Sequence, residues 1–291
     1  MKRADQKLTE LYSAFVAKRS EDSCAHFADF DRRNGRHIAT LAARGVTTIP
    51  ELIAALPDLP PKFKDFGIWW LRMAKPRSAV SVLLRMLHDD PSFRLSCAFA
   101  LAAIGGQRST REFVRIGEAQ LASPSPDRKW LEAVIRGLTY ATTLEAEEVL
   151  LRIYERTDLP GWVRGDAGDT LGICSQLSDR RTRFFRRALT TALNGLDDAA
   201  IEVQFYSMYV LMQLAQNDYI KHKRSNTCFA AALPRLREIA RKDNRLAPGL
   251  WWPMSAEAED TIHQIKTGNG LEKDAGERWL GNPERGPMIR D

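Results

Sequence analysis

The chain has 291 residues, 44% of them hydrophobic and 27% charged, with a formal net charge of +6. These proportions are ordinary for a folded soluble protein and argue against disorder over the whole length. No stretch reaches the roughly 20 apolar residues of a membrane-spanning helix, and the start MKRADQKLTELYSAF lacks the apolar core of a signal peptide, so the expectation is a cytoplasmic protein without a membrane role.

In chain order, residues 5–19 (DQKLTELYSAFVAKR) read as a helix and 37–48 as a further short one. Together, residues 1–48 are expected to form an N-terminal helical cap, because an end repeat must hide an apolar face. Six later segments then align: KFKDFGIWWLRM, SFRLSCAFALAAIG, KWLEAVIRGLTY, GWVRGDAGDTLGI, EVQFYSMYVLMQL and PMSAEAEDTIHQI. Each starts from a bulky anchor: Phe63, Phe93, Trp130, Val163, Val203 or Met254. Four residues on comes a mostly small one (Gly67, Cys97, Val134, Ala167, Ser207, Ala258), and four further a large aliphatic (Leu71, Leu101, Leu138, Leu171, Leu211, Ile262). A column at i, i+4 and i+8 is one stripe of an α-helix, and its small middle member admits a close neighbour.

The anchors are spaced by 30, 37, 33, 40 and 51 residues, the last interval holding an expected insertion around YIKHKRSNT. Before most of these helices lies a second amphipathic segment, such as SAVSVLLRMLHD, TREFVRIGEAQLA, LEAEEVLLRIYER, RTRFFRRALTTAL or ALPRLREIARK. Breaks carrying Pro, Gly, Asp or Asn (DDP, SPSPD, TDLPG, NGLDD) separate them. Nothing reads as a run of strands. After Gly268 the composition turns polar and Gly-rich, so residues 268–291 are expected to be a loosely held tail.

This period and wording resemble HEAT repeats over about residues 50–266. The resemblance rests on LHDDPSFRLSCAFALAAIG and YERTDLPGWVRGDAGDTLG: an Asp/Pro turn, a hydrophobic residue plus Arg (Phe93-Arg94, Val163-Arg164), a small residue, then Leu and Gly. It implies an all-α protein, an α-solenoid of about six HEAT-like hairpins over residues 49–267. HEAT families are mostly interaction scaffolds, although a fold does not fix a function.

Offsets of +2, +3 and +6 from each anchor point away from the anchor stripe. In a HEAT-like hairpin the second helix lines the concave side, so these positions are expected to face a groove. They include Asp65, Phe66, Trp69, Phe99, Asp166, Asp169, Phe205, Tyr206, Tyr209, Glu257 and Asp260, the predicted partner-binding residues. Across all the offsets six residues are acidic and six aromatic, against one base, Arg136. Positive charge lies elsewhere: Arg180, Arg181, Arg183, Arg186 and Arg187 on a first helix, Lys221, Lys223 and Arg224 in the insertion, and Arg235, Arg237, Arg241 and Lys242 on the last first helix. Those clusters read as a solvated outer face or a phosphate-binding edge.

No chemistry-bearing motif appears. His26, His37, His88, His222 and His263 are scattered, and Cys24, Cys97, Cys174 and Cys228 show no CxxC spacing, as expected of reduced thiols without a metal. No GxSxG, HExxH, P-loop or Rossmann fingerprint occurs. The GDAGD run at 165–169 looks like a phosphate or metal loop, but it falls inside the helical column. Trp69-Trp70 must send one ring to the core and one elsewhere, and Trp251-Trp252-Pro253 suits a helix start.

The expected function is therefore non-enzymatic: a scaffold or inhibitor that holds a basic protein in an acidic, aromatic groove, with toxin immunity as one version. No catalytic residue and no cofactor is expected. The alternative is a HEAT-like DNA-binding protein or alkylpurine DNA glycosylase, which resembles this chain in repeat architecture alone. Nucleic acid in the groove would need Lys and Arg where this sequence has carboxylates.

Overall fold

A computed structural model of the chain describes residues 7–20, 26–173, 183–222, 227–246 and 253–268. Among them are fourteen α-helices, three short 3₁₀ turns and no strand. In chain order the helices are α1 (Leu8–Ser20), α2 (His26–Ala43), α3 (Ile49–Ala55), α4 (Pro61–Ala74), α5 (Val80–Asp89), α6 (Arg94–Ile104), α7 (Gln107–Ala122), α8 (Arg128–Gly137), α9 (Leu144–Glu155), α10 (Gly161–Ile173), α11 (Arg183–Gly195), α12 (Ile201–His222), α13 (Leu233–Lys242) and α14 (Met254–Thr267). None of the described helices is long and apolar enough to cross a membrane. Residues 1–112 and 113–291 form two compact units, the division falling within α7.

Local chemistry explains the helix ends. In the first unit Thr48 and Glu51 form a capping box at α3: the Thr48 Oγ1 accepts from the Glu51 amide, and Glu51 accepts from the Thr48 amide. That closes orphan donors at the helix start. Asp127 and Thr143 do the same work with one bond each at α8 and α9. Helix α10 begins directly after Pro160, and Gly268 stops α14 in the left-handed conformation at φ 73°.

The predicted column is the core. Every middle residue of the six segments is buried, as are five of the six aliphatic third residues. Phe63, Trp130 and Ile262 are half-buried. In the first unit α6 packs against both α4 and α5. A Cβ on Gly67 of α4 would stand 2.6 Å from Leu56 Cδ1, which is why that position is small.

In the second unit α9 packs on α10, α11 on α12 and α13 on α14. The second members also lie side by side, with α10 against α8 and α12, and α12 against α14. Arg164 of α10 is 8% exposed and donates through two nitrogens to Asp198 in the turn before α12, at 3.2 and 2.6 Å. Asp198 also accepts from the Ala200 amide at 2.9 Å, so one carboxylate ties the turn and the neighbouring helix together.

Several expected boundaries differ. Residues 37–43 of the segment expected at 37–48 are the last turns of the longer α2, which ends before Gly45 at φ 81°, and the rest leads to Thr48, the N-cap of α3. The expected insertion begins later than predicted, because Tyr219–His222 complete α12, a helix of 22 residues. Residues 223–226 of that insertion and the predicted tail beyond Gly268 lie outside the described residues.

Candidate partner-binding face

The eleven predicted residues fall into two groups, one in each unit. In the first unit Asp65 is exposed and accepts from Ser96 Oγ at 3.0 Å. Phe66 is a correction: it is only 6% exposed, its ring 5.0 Å from His37 and 5.7 Å from Trp69. It belongs to the core because α2 covers the +3 direction of α4 there. Trp70 is buried and Trp69 half-buried beside it, the division expected of the pair. Phe99 is half-buried under the Arg72 guanidinium, 5.0 Å from the ring centre.

The second unit assembles the other seven. Asp166 and Asp169 stand on α10, Phe205, Tyr206 and Tyr209 on α12, and Glu257 and Asp260 on α14, three helices packed in a row. Phe205 is the second correction. It is 8% exposed and meets Tyr206 edge-on at 5.5 Å, so it supports the tyrosine rather than facing outward. Glu257 is the third, since a carboxylate expected on an open surface is 8% exposed.

The tyrosines owe their position to glycine. A Cβ on Gly165 would lie 3.0 Å from Tyr206 Cδ2, one on Gly168 3.4 Å from Tyr206 Cβ, and one on Gly172 2.8 Å from Tyr209 Cε1. The glycines of GDAGD and its continuation therefore let α12 lay its rings against α10. The run is a packing seam within a helix, and its aspartates point from the remaining surface. A glycine stripe at 161, 165, 168 and 172 was the sequence signal for this seam.

Charge is unevenly compensated on this face. Arg136 of α8 donates to Asp166 at 2.7 Å, a pair the sequence reading missed because the partners sit 30 residues apart. Asp169 has no hydrogen bond among the described residues, and burial together with the Asp166 charge pushes its carboxyl up to about 6. The Glu257 carboxyl likewise has no hydrogen bond or ion pair there. Burial first, then Asp260, pushes it up to about 8. Burial and the charges of Asp169, Asp166 and Glu257 raise Tyr206 to about 12, Arg136 opposing. Tyr209 is raised by burial, Asp169 and Glu257. Each of these shifts says that negative charge is crowded and poorly solvated on the face.

The arginine-rich first helices differ. Arg187 of α11 donates to Glu148 at 2.6 Å and to Glu155 at 2.7 Å. Arg235 of α13 donates to Glu238 at 2.8 Å, and Arg152 of α9 pairs with Glu118 at 2.5 Å. A cavity of about 990 Å³ beside α11 is lined by Arg164, Arg183, Arg186 and Arg187, but also by Glu155, Asp197 and Asp198. Two of those arginines are already committed to these acids, so the cavity is close to self-neutralised. Arg180, Arg181, Lys223 and Arg224 lie outside the described residues.

Among the described residues no three His, Cys, Asp or Glu side chains converge as a metal site would require. No protein-family model and no curated protein matches the chain.

Proposed function

We propose that the chain is a non-enzymatic interaction module, a scaffold or inhibitor, that holds a basic protein on the face shared by α8, α10, α12 and α14. We read its helix pairs as HEAT-like hairpins of an α-solenoid, supported by α9/α10, α11/α12 and α13/α14 packing in series with their second members side by side. The observation that carries the functional reading is one surface holding Asp166, Asp169, Glu257 and Asp260 around two half-buried tyrosines, with Arg136 paired to Asp166. Asp169 and Glu257 are shielded carboxylates with no hydrogen bond among the described residues, which disfavours the free surface, and a cationic partner relieves that cost. Tyrosine adds large, rigid contact area with few rotors to freeze. Neutralisation of a basic effector, as in toxin immunity, is the version that this charge suits.

A phosphate backbone would meet the wrong sign here, since each contacted phosphate calls for a Lys or Arg. The test is capture of a protein partner by the tagged chain from nuclease-treated lysate, repeated with Tyr206→Ala combined with Tyr209→Ala. A stoichiometric basic protein held by the native chain and lost by the double variant is the expected result. Retention by the double variant, or recovery of nucleic acid alone without nuclease treatment, sinks the proposal.

A further inference from the structure

The first unit holds a polar cavity whose charge has the opposite sign to the acidic face. It measures about 400 Å³ and is lined by Ser81, Leu84, Arg85 and His88 of α5 and by Arg108 and Glu112 of α7, all within that unit. The four α5 residues fall at i, i+3, i+4 and i+7, one face of a helix, and the two α7 residues at i and i+4 oppose them. Two polar rungs join the walls. Arg108 Nη1 donates to Ser81 Oγ at 2.8 Å, and His88 Nε2 stands 2.8 Å from Glu112 Oε1. Between the rungs along α5 comes Arg85, exposed and without a hydrogen bond or ion pair among the described residues.

The donors in this cavity exceed the acceptors. Glu112 is its one acid and is already held by His88. Ser81 accepts from Arg108, which leaves the hydroxyl hydrogen to be given elsewhere. Arg108 spends one nitrogen on that bond, and the whole Arg85 fork is unspent. We propose that the cavity binds a phosphate group, as the free anion or on a small phosphomonoester, with Arg85 and Arg108 gripping it from the two walls and the Ser81 hydroxyl donating to a further oxygen. A planar carboxylate is satisfied by a single guanidinium fork, whereas a tetrahedral dianion turns oxygens toward both walls and balances two guanidiniums. The volume falls in the range of small-molecule sites, about 300–1,000 Å³, and so has space for an organic group behind the phosphate. This site is independent of the interaction face in the second unit.

Titration calorimetry of the full chain at constant ionic strength, with inorganic phosphate and separately with glucose 6-phosphate, tests the proposal. Saturable binding of at least one is expected, and the tighter of the two identifies the source of the phosphate. Arg85→Gln and Arg108→Gln should each weaken it about tenfold, the contribution of one hydrogen bond between charged groups. Arg85 bonds to nothing in the fold, so its variant removes a charge without removing a contact that holds the structure. Arg77→Gln, an exposed arginine outside the cavity, should leave binding unchanged. No saturable binding of either probe up to about 10 mM overturns the proposal. Affinity unaltered by Arg85→Gln, an equal loss with Arg77→Gln, or acetate bound as tightly as phosphate overturns it as well.

Discussion

Replacing Glu257 by Gln should make the protein more stable, and increasingly so as pH rises. The folded carboxyl titrates near 8 against an ordinary 4.5, because burial and Asp260 disfavour its charge. Below pH 4.5 the group is protonated folded or unfolded and contributes nothing to the difference. Between about 4.5 and 8 the folded chain keeps a proton that the unfolded chain has lost, so stability falls with rising pH. Above 8 the loss is complete, at about 5 kcal/mol from the 1.36 kcal/mol per pH unit of linkage. The amide mimics the neutral acid and carries no such penalty. Asp169 acts in the same direction but finishes near pH 6. From pH 6 to 8, then, the two urea-unfolding free energies should diverge by roughly 2–3 kcal/mol, the variant gaining. Histidines that titrate in this window are common to both proteins and cancel in the difference. Parallel curves over that range would refute a neutral, buried Glu257.

Five further substitutions, at three places, test the packing that holds the face. Gly137→Ala would put a Cβ 2.4 Å from the ring of Phe113, which is fully buried. Overpacking should outweigh the gain in helix propensity and cost roughly 1–2 kcal/mol in urea unfolding, and a stabilised variant would show that the ring yields freely. Buried Ser207 donates to the Val203 carbonyl at 2.6 Å, so the Tyr154 hydroxyl is the donor in its bond to Ser207. Ser207→Ala orphans a buried donor and should cost about 1–3 kcal/mol, more than Tyr154→Phe at about 1 kcal/mol; the reverse order in thermal or urea unfolding would contradict that assignment. Arg164→Ala strips Asp198 of its two guanidinium bonds and should cost about 3 kcal/mol or more, with Asp198→Asn milder because the Ala200 amide bond has an acceptor still. Loss of no more than about 1 kcal/mol for Arg164→Ala would mean that the pair is solvated like a surface one.

The helices were legible because their signal is local. Val163, Ala167 and Leu171, or Val203, Ser207 and Leu211, announce a buried stripe in the spacing alone, and all six are buried. The outward positions were harder, since periodicity gives an angle about a helix axis and not what stands in that direction. Phe66 and Tyr206 share the +3 offset, yet one packs against His37 and the other is half-exposed. Phe205 and Asp65 share the +2 offset and end respectively in the core and in solvent. The GDAGD run misleads for a related reason: its composition suggests a loop, and the tyrosines that require its glycines come some forty residues later. The Arg136–Asp166 pair, too, spans separate helices and leaves no local trace.

The face gains from being built on helices rather than loops. Because Gly165, Gly168 and Gly172 admit the rings of α12 so closely, Tyr206 and Tyr209 have little freedom left to lose when a partner arrives. Asp260 is more open than Glu257, and the two should act at different stages. An accessible carboxylate draws a basic partner in and is screened by salt, which sets the association rate. A shielded, unpaired one contributes only after the cation has arrived and water has left, which sets the residence time. Glu257, whose burial opposes its charge in the free protein, is thus an acid whose pairing with a cation would gain most on binding.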